Sequence, residues 1–183
     1  MSASGTIGGI ETAVRGAKGG PDTWNPPFCG DIDMRIGVDG TWYYLGSPIG
    51  RKPLVTLFSS VLRREARGYV LVTPVEKVGI RVDDAPFVAV EMAVGPEGAL
   101  SFRTNVDEWV TAGVAHPLRF ERRPDGSRRP YVLVRPGLEA LIARPVFYEL
   151  VERGEAREGM FGVAAGGQFH AIAPASELGA GLA

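Results

Sequence analysis

The chain has 183 residues, of which 45% are hydrophobic and 22% charged. That mix suits one globular domain, or two small ones sharing a core, and excludes a disordered chain. The net charge is −1, so no long-range field draws in DNA or an anionic membrane, and any anion site must be local.

Cys29 is the single cysteine, which rules out an intramolecular disulfide and favours a reducing, cytoplasmic setting. Residues 1–20 are rich in Gly, Ala, Ser and Thr and lack the apolar run of a signal peptide, so they read as a flexible arm. No later stretch is apolar for long enough to span a bilayer. Residues 175–183 read as a loose tail.

Order is expected from Trp24-Asn25-Pro26-Pro27 onward. From Asp31 to Val38 the chain alternates, with Ile32, Met34, Ile36 and Val38 on one face and Asp31, Asp33 and Arg35 on the other. Asp39-Gly40 suits a two-residue type I′ turn that returns Thr41 to Leu45 antiparallel. A helix follows from about Arg51, with Pro53 in its first turn and Leu54, Leu57, Phe58, Val61 and Leu62 on the core side. Gly68 would lie just beyond its end. Tyr69–Thr73 and Glu76–Val82 then form a second hairpin about Pro74. Phe87–Val94 reads as a central strand, turned by Gly95-Pro96-Glu97-Gly98 into Ala99–Thr104.

After a less regular connector, Leu118–Arg122 and Tyr131–Arg135 flank Asp125-Gly126. A helical region is expected from Gly137 to about Arg153, with Leu138, Leu141, Ile142, Val146 and Leu150 apolar. Pro145 requires either a kink or a second helix starting there. Met160–Ala165 and Gln168–Ala173 make a last hairpin about Gly166-Gly167. The spacing that carries Asp39 to Asp125 also carries Arg51 to Gly137. The fold class is therefore α+β with antiparallel sheet, in two similar halves that each run hairpin, helix, hairpin. Residues 21–104 would form the N-terminal half, and residues 105–174 the C-terminal half.

Several blocks occur together in one order: Cys29-Gly30-Asp31-Ile32-Asp33-Met34-Arg35-Ile36, Gly40-Thr41-Trp42-Tyr43-Tyr44, Gly46-Ser47-Pro48-Ile49-Gly50-Arg51, Leu71-Val72-Thr73-Pro74-Val75-Glu76-Lys77-Val78 and Asp83-Asp84-Ala85-Pro86-Phe87. With Tyr131–Arg135 and Gly137–Ile142 they resemble an uncharacterised bacterial family catalogued as domain of unknown function 1285. Pro145 and Val163-Ala164-Ala165 depart from its pattern. The resemblance implies a two-part fold with an internally repeated unit, the second part superficially similar to pleckstrin-homology-like folds. It also implies a site between the parts for a nucleotide-like small molecule, and a signalling role.

A two-residue turn would set Ile36 opposite Tyr43, and so bring Trp42 and Tyr44 to the face of Asp31, Asp33 and Arg35. Two aromatics, a guanidinium and two carboxylates could stack a base and bind its edge. Ser47 and Arg51 stand where a helix start favours anions. Lys77 and Asn105 complete the candidate ligand set. Each has a plainer reading as a packed, capping or surface residue. Thr73, Glu76 and Asp107 read first as turn formers.

Asp31 and Asp33 alone are a thin metal site, and carboxylates paired with Arg35 are the simpler reading. Cys29 with His116 or His170 lacks the positive setting that a reactive thiolate needs. Arg119, Arg122, Arg123, Arg128 and Arg129 could meet phosphates but read first as a solvated hairpin tip, which argues against nucleic acid. No P-loop, Gly-x-Gly-x-x-Gly, Gly-x-Ser-x-Gly or Cys-x-x-Cys occurs, and no cofactor is called for. The leading expectation is a non-enzymatic binding or sensory protein for a nucleotide-like or anionic ligand held between the halves. A metal-assisted enzyme using Asp31 or Asp33, and a protein–protein or homo-oligomeric module, are the alternatives.

Overall fold

The computed structural model describes residues 5–178. The chain divides between Pro86 and Phe87 into two compact units.

The N-terminal unit begins with helix α1 (Ile7–Val14), whose cap Thr6 accepts the Gly9 N–H on Oγ1 at 3.1 Å. Ile10 is fully buried, and Glu11 pairs with Arg15 at 2.5 Å and Arg51 at 3.9 Å. The expected flexible arm is thus corrected over this stretch, because one apolar side chain and one carboxylate anchor it. Residues 1–4 of that arm, and 179–183 of the expected tail, lie outside the described residues.

Strands β1 (Phe28–Ile36), β2 (Trp42–Tyr44) and β3 (Ser47–Pro48) form a first meander. Helix α2 (Lys52–Ser60) follows, with Pro53 in its first turn and Leu54 and Phe58 buried one turn apart. The expected stripe ran too far. Leu62 is buried, but it belongs to strand β4 (Leu62–Glu65), opposite Leu71. Strands β5 (Gly68–Val72) and β6 (Lys77–Val82) complete a second meander. The sheet order is β3-β2-β1-β6-β5-β4, with β1 and β6 parallel at the centre.

The C-terminal unit holds β7 (Phe87–Val94), β8 (Leu100–Thr104) and β9 (Trp109–Thr111), then β10 (Leu118–Arg122), β11 (Arg128–Arg135) and β12 (Leu138–Ile142). Its sheet order is β10-β11-β12-β7-β8-β9, again with a parallel central pair, in which Phe87 meets Ala140. Helix α3 (Arg144–Glu152) follows, and then a three-stranded sheet of β13 (Glu155–Arg157), β14 (Met160–Ala165) and β15 (Gln168–Pro174). Among the described residues, each unit therefore carries a six-stranded sheet of two meanders joined through their parallel first and last strands. The halves are similar, and the similarity runs through strand order. Helix α2 lies between the meanders of the N-terminal unit, and α3 after those of the C-terminal unit.

Two expectations need correction. The division falls after Pro86 rather than after Thr104, because β7 pairs with β12 and carries β8 and β9 with it. Residues 138–142 are a strand rather than helix, with Leu138, Ala140 and Ile142 buried in alternation between β11 and β7. A short apolar run fits either period, and only its pairing decides. Pro145 sits in the first turn of α3, where its missing N–H costs nothing. Ala175–Glu177 form a 3₁₀ turn held to β11, so this part of the expected tail is anchored. No described helix is long and apolar enough to cross a membrane.

Candidate functional site

The first hairpin closes with a longer turn than expected. The Gly37 N–H donates to Thr41 O at 2.8 Å and the Gly40 N–H to Gly37 O at 3.0 Å, while Gly40 takes φ 83°. This is a three-residue loop with glycine at its left-handed position. The register becomes Met34–Tyr44, Arg35–Tyr43 and Ile36–Trp42. One residue of slip moves every β2 side chain to the other face.

The expected cluster of Asp31, Asp33, Arg35, Trp42 and Tyr44 on one face is therefore corrected. Trp42 is 1% exposed, its ring 6.3 Å from that of Phe58, and its Nε1 has no hydrogen-bond partner among the described residues. Tyr44 is half-buried on the same side as Met34. Tyr43 takes their place beside Arg35, whose guanidinium lies 4.3 Å from the ring centre and pairs with Asp83. Asp-Gly suits both turn lengths, so the sequence did not decide between them. The Thr41 N–H donates to Asp39 Oδ1 at 3.0 Å, and this bond holds the Asp39 carboxyl below its ordinary pKa.

The other candidates are dispersed. Asp31 and Asp33 are exposed on β1. Lys77 Nζ lies 3.0 Å from Glu65, which Arg63 also binds. Burial alone would raise the Glu65 pKa, but the hydrogen bonds from Arg63 and Lys77 prevail and lower it. Arg63 Nη1 further holds Pro21 O at 2.6 Å and Trp24 O at 2.9 Å, which fastens the segment before β1. Ser47 is exposed on β3, and Arg51 caps α2 without a side-chain bond.

Asn105 belongs to the other unit. Its Oδ1 accepts the Val88 N–H at 3.0 Å and its own N–H donates to Val88 O at 2.9 Å, clamping β7. Thr73 Oγ1 accepts the Glu76 N–H at 3.1 Å within a turn, and Asp107 pairs with Arg103 at 2.8 Å. Cys29 is exposed, while His116 and His170 each meet a backbone carbonyl of their own unit. The described residues contain no group of three or more His, Cys, Asp or Glu able to hold a metal.

Arg123, Arg128 and Arg129 of the arginine cluster line a groove, whereas Arg119 and Arg122 do not. Tyr131 pairs with Leu141, so the start of β11 lies beside the end of β12, where α3 begins. A groove of about 290 Å³ opens there, lined by Arg123, Arg128, Arg129 and Arg144. Pro130, Leu141, Ile142, Phe147 and Tyr148 supply its apolar lining, and no described lining residue is acidic.

The arginines differ in what they can do. Arg128 is 5% exposed; its Nε donates to Ile172 O at 2.9 Å and its Nη2 to Glu177 at 2.8 Å. It fixes the hairpin. Arg123 pairs with Glu121 at 3.7 Å and also acts electrostatically on Asp125. Arg144 is exposed and has no hydrogen bond or ion pair among the described residues. It opens a helix whose N-terminal end carries partial positive charge. Phe147 is buried with its ring 6.1 Å from Phe120, whereas Tyr148 stays 42% exposed. Arg119 stands apart, held by paired 2.8 Å bonds to Glu139 that raise its pKa. Arg144 and Tyr148 were missed because reading residues 138–142 as helix hid the pairing that brings them to the hairpin.

These features define a two-unit α+β protein built on a repeated pair of strand meanders. The chain belongs to the DUF1285 family: residues 21–85 match the model described as Domain of unknown function (DUF1285), N-terminal domain, and residues 86–172 match its C-terminal counterpart. The junction of the two matches falls within about one residue of the division between the units. A crystal structure of a DUF1285 family protein from Silicibacter pomeroyi is 50% identical, covers 93% of this chain and 98% of that one, and superposes with a TM-score of 0.85. Another, from Shewanella baltica, is 27% identical over 66% of this chain and 91% of that one, with a TM-score of 0.55. No curated protein matches the chain.

Proposed function

We propose that this chain is a non-enzymatic binding protein for a small anionic, phosphate-bearing molecule, held in the arginine-lined groove of the C-terminal unit. The observation that carries this reading is Arg144, without a partner among the described residues, standing with Arg123 and Arg129 around a concavity that has no acidic lining. Guanidinium forks match phosphate oxygens in geometry and charge. The volume lies at the small end of the range for small-molecule sites. The aliphatic hydroxyl in the lining, on Ser127, is 2.6 Å from Asp125, and no histidine is among the described lining residues, which favours binding over nucleophilic chemistry.

Thermal unfolding of the full chain with inorganic phosphate and pyrophosphate tests this. A ligand at a hundred times its Kd stabilises the folded state by about 2.7 kcal/mol. Pyrophosphate should raise the Tm of the wild type and not that of Arg144→Ala. An unchanged Tm with both anions overturns the proposal.

A further inference from the structure

We infer that the ligand of this groove is a phosphate ester carrying a planar aromatic group, with the phosphate on Arg144 and the ring against Tyr148. This inference rests on the anion-binding reading above and names its ligand class. Arg144 and Tyr148 are four residues apart on α3, so they project from one face of the helix on successive turns. One is a cation with no partner among the described residues, and the other is a large aromatic left 42% exposed at the groove. Phe147, buried against Phe120, holds the turn of helix between them in place.

The space also exceeds what an inorganic anion needs. At about 30 Å³ per water, a groove of about 290 Å³ holds several times the volume of a phosphate. Pro130, Leu141 and Tyr148 give the lining apolar surface beside the arginines. Stacking on an exposed aromatic tolerates many rings, because each presents a π-face. The pairing of cation and ring thus selects the ester over the free anion.

Calorimetric titration of the full chain with inorganic phosphate, methyl phosphate and phenyl phosphate decides the matter. Phenyl phosphate should bind about tenfold more tightly than methyl phosphate. Tyr148→Ala should abolish that difference and leave inorganic phosphate unaffected; Tyr148→Phe should preserve it. Arg144→Ala should weaken all three. Equal affinity for the two esters in the wild type overturns the aromatic assignment and leaves anion binding standing. Failure of all three to bind overturns both.

Discussion

The carboxylate of Asp31 lies across Gly79 on the parallel strand beside it, where an added Cβ would come within 1.9 Å of Oδ1. Gly79 is buried partly by this exposed acid. The obstacle is a side chain able to rotate into solvent, so Gly79→Ala should cost only about 1 kcal/mol, the scale of a forced rotamer. Adding Asp31→Ala should recover it. Urea unfolding of the double-mutant cycle should show a coupling of at least about 0.5 kcal/mol; strictly additive costs would mean the contact has no energetic weight.

Trp42 fills the space against Phe58 without using its ring N–H. Trp42→Ala should cost about 3–5 kcal/mol, the usual range for emptying a core site of an aromatic. Trp42→Phe should cost much less, since no hydrogen bond is lost and an unsatisfied donor is removed. Denaturant midpoints of the two variants would check the order. Equal losses would count against it.

Glu65 titrates below its ordinary 4.5 in the folded chain. A carboxyl lowered on folding adds stability above its unfolded value, and that contribution is lost as pH falls through the folded one. Unfolding free energy measured from about pH 6 to about pH 3 should decline more steeply for the wild type than for Glu65→Gln. Parallel profiles would show that the Arg63 and Lys77 bonds do not favour the ionised form.

Arg128 and Arg144 line the same groove but should respond oppositely. Arg128→Met leaves the Ile172 carbonyl without its side-chain donor and Glu177 with the longer 3.7 Å pair to Arg122, and should destabilise by about 1–3 kcal/mol. Arg144→Ala should change stability by no more than about 0.5 kcal/mol, because the side chain touches no partner among the described residues. Thermal denaturation of the two variants separates the positioning role from the binding role.

Much of the strand pattern could be read from alternation, since Val78, Ile80 and Val82, or Met34 and Ile36, can satisfy one buried face only as strands. Pro53 and Leu54 placed α2 within a residue of its start. Register and partner choice were less legible. Nothing in Asp39-Gly40 chooses between two loop lengths, and that choice decides whether Trp42 meets Arg35 or Phe58. Leu138 to Ile142 fits a helix face as well as a strand until β7 lies alongside. The candidate site inherited both ambiguities: Arg123, Arg128 and Arg129 were visible as a cluster, but the residues that make it concave arrive through β12.

The parallel contact between Phe87 and Ala140 also governs how the chain is made. When β7 leaves the ribosome, its central neighbour has not been translated, and Phe87, Val88 and Ala89 present an apolar edge until Ile142 emerges. The N-terminal sheet has the same dependence, since β1 waits for β6. A nascent or truncated product ending before β12 therefore displays an open ribbon suited to self-adhesion, and premature termination in this stretch should yield aggregates instead of a stable shorter protein.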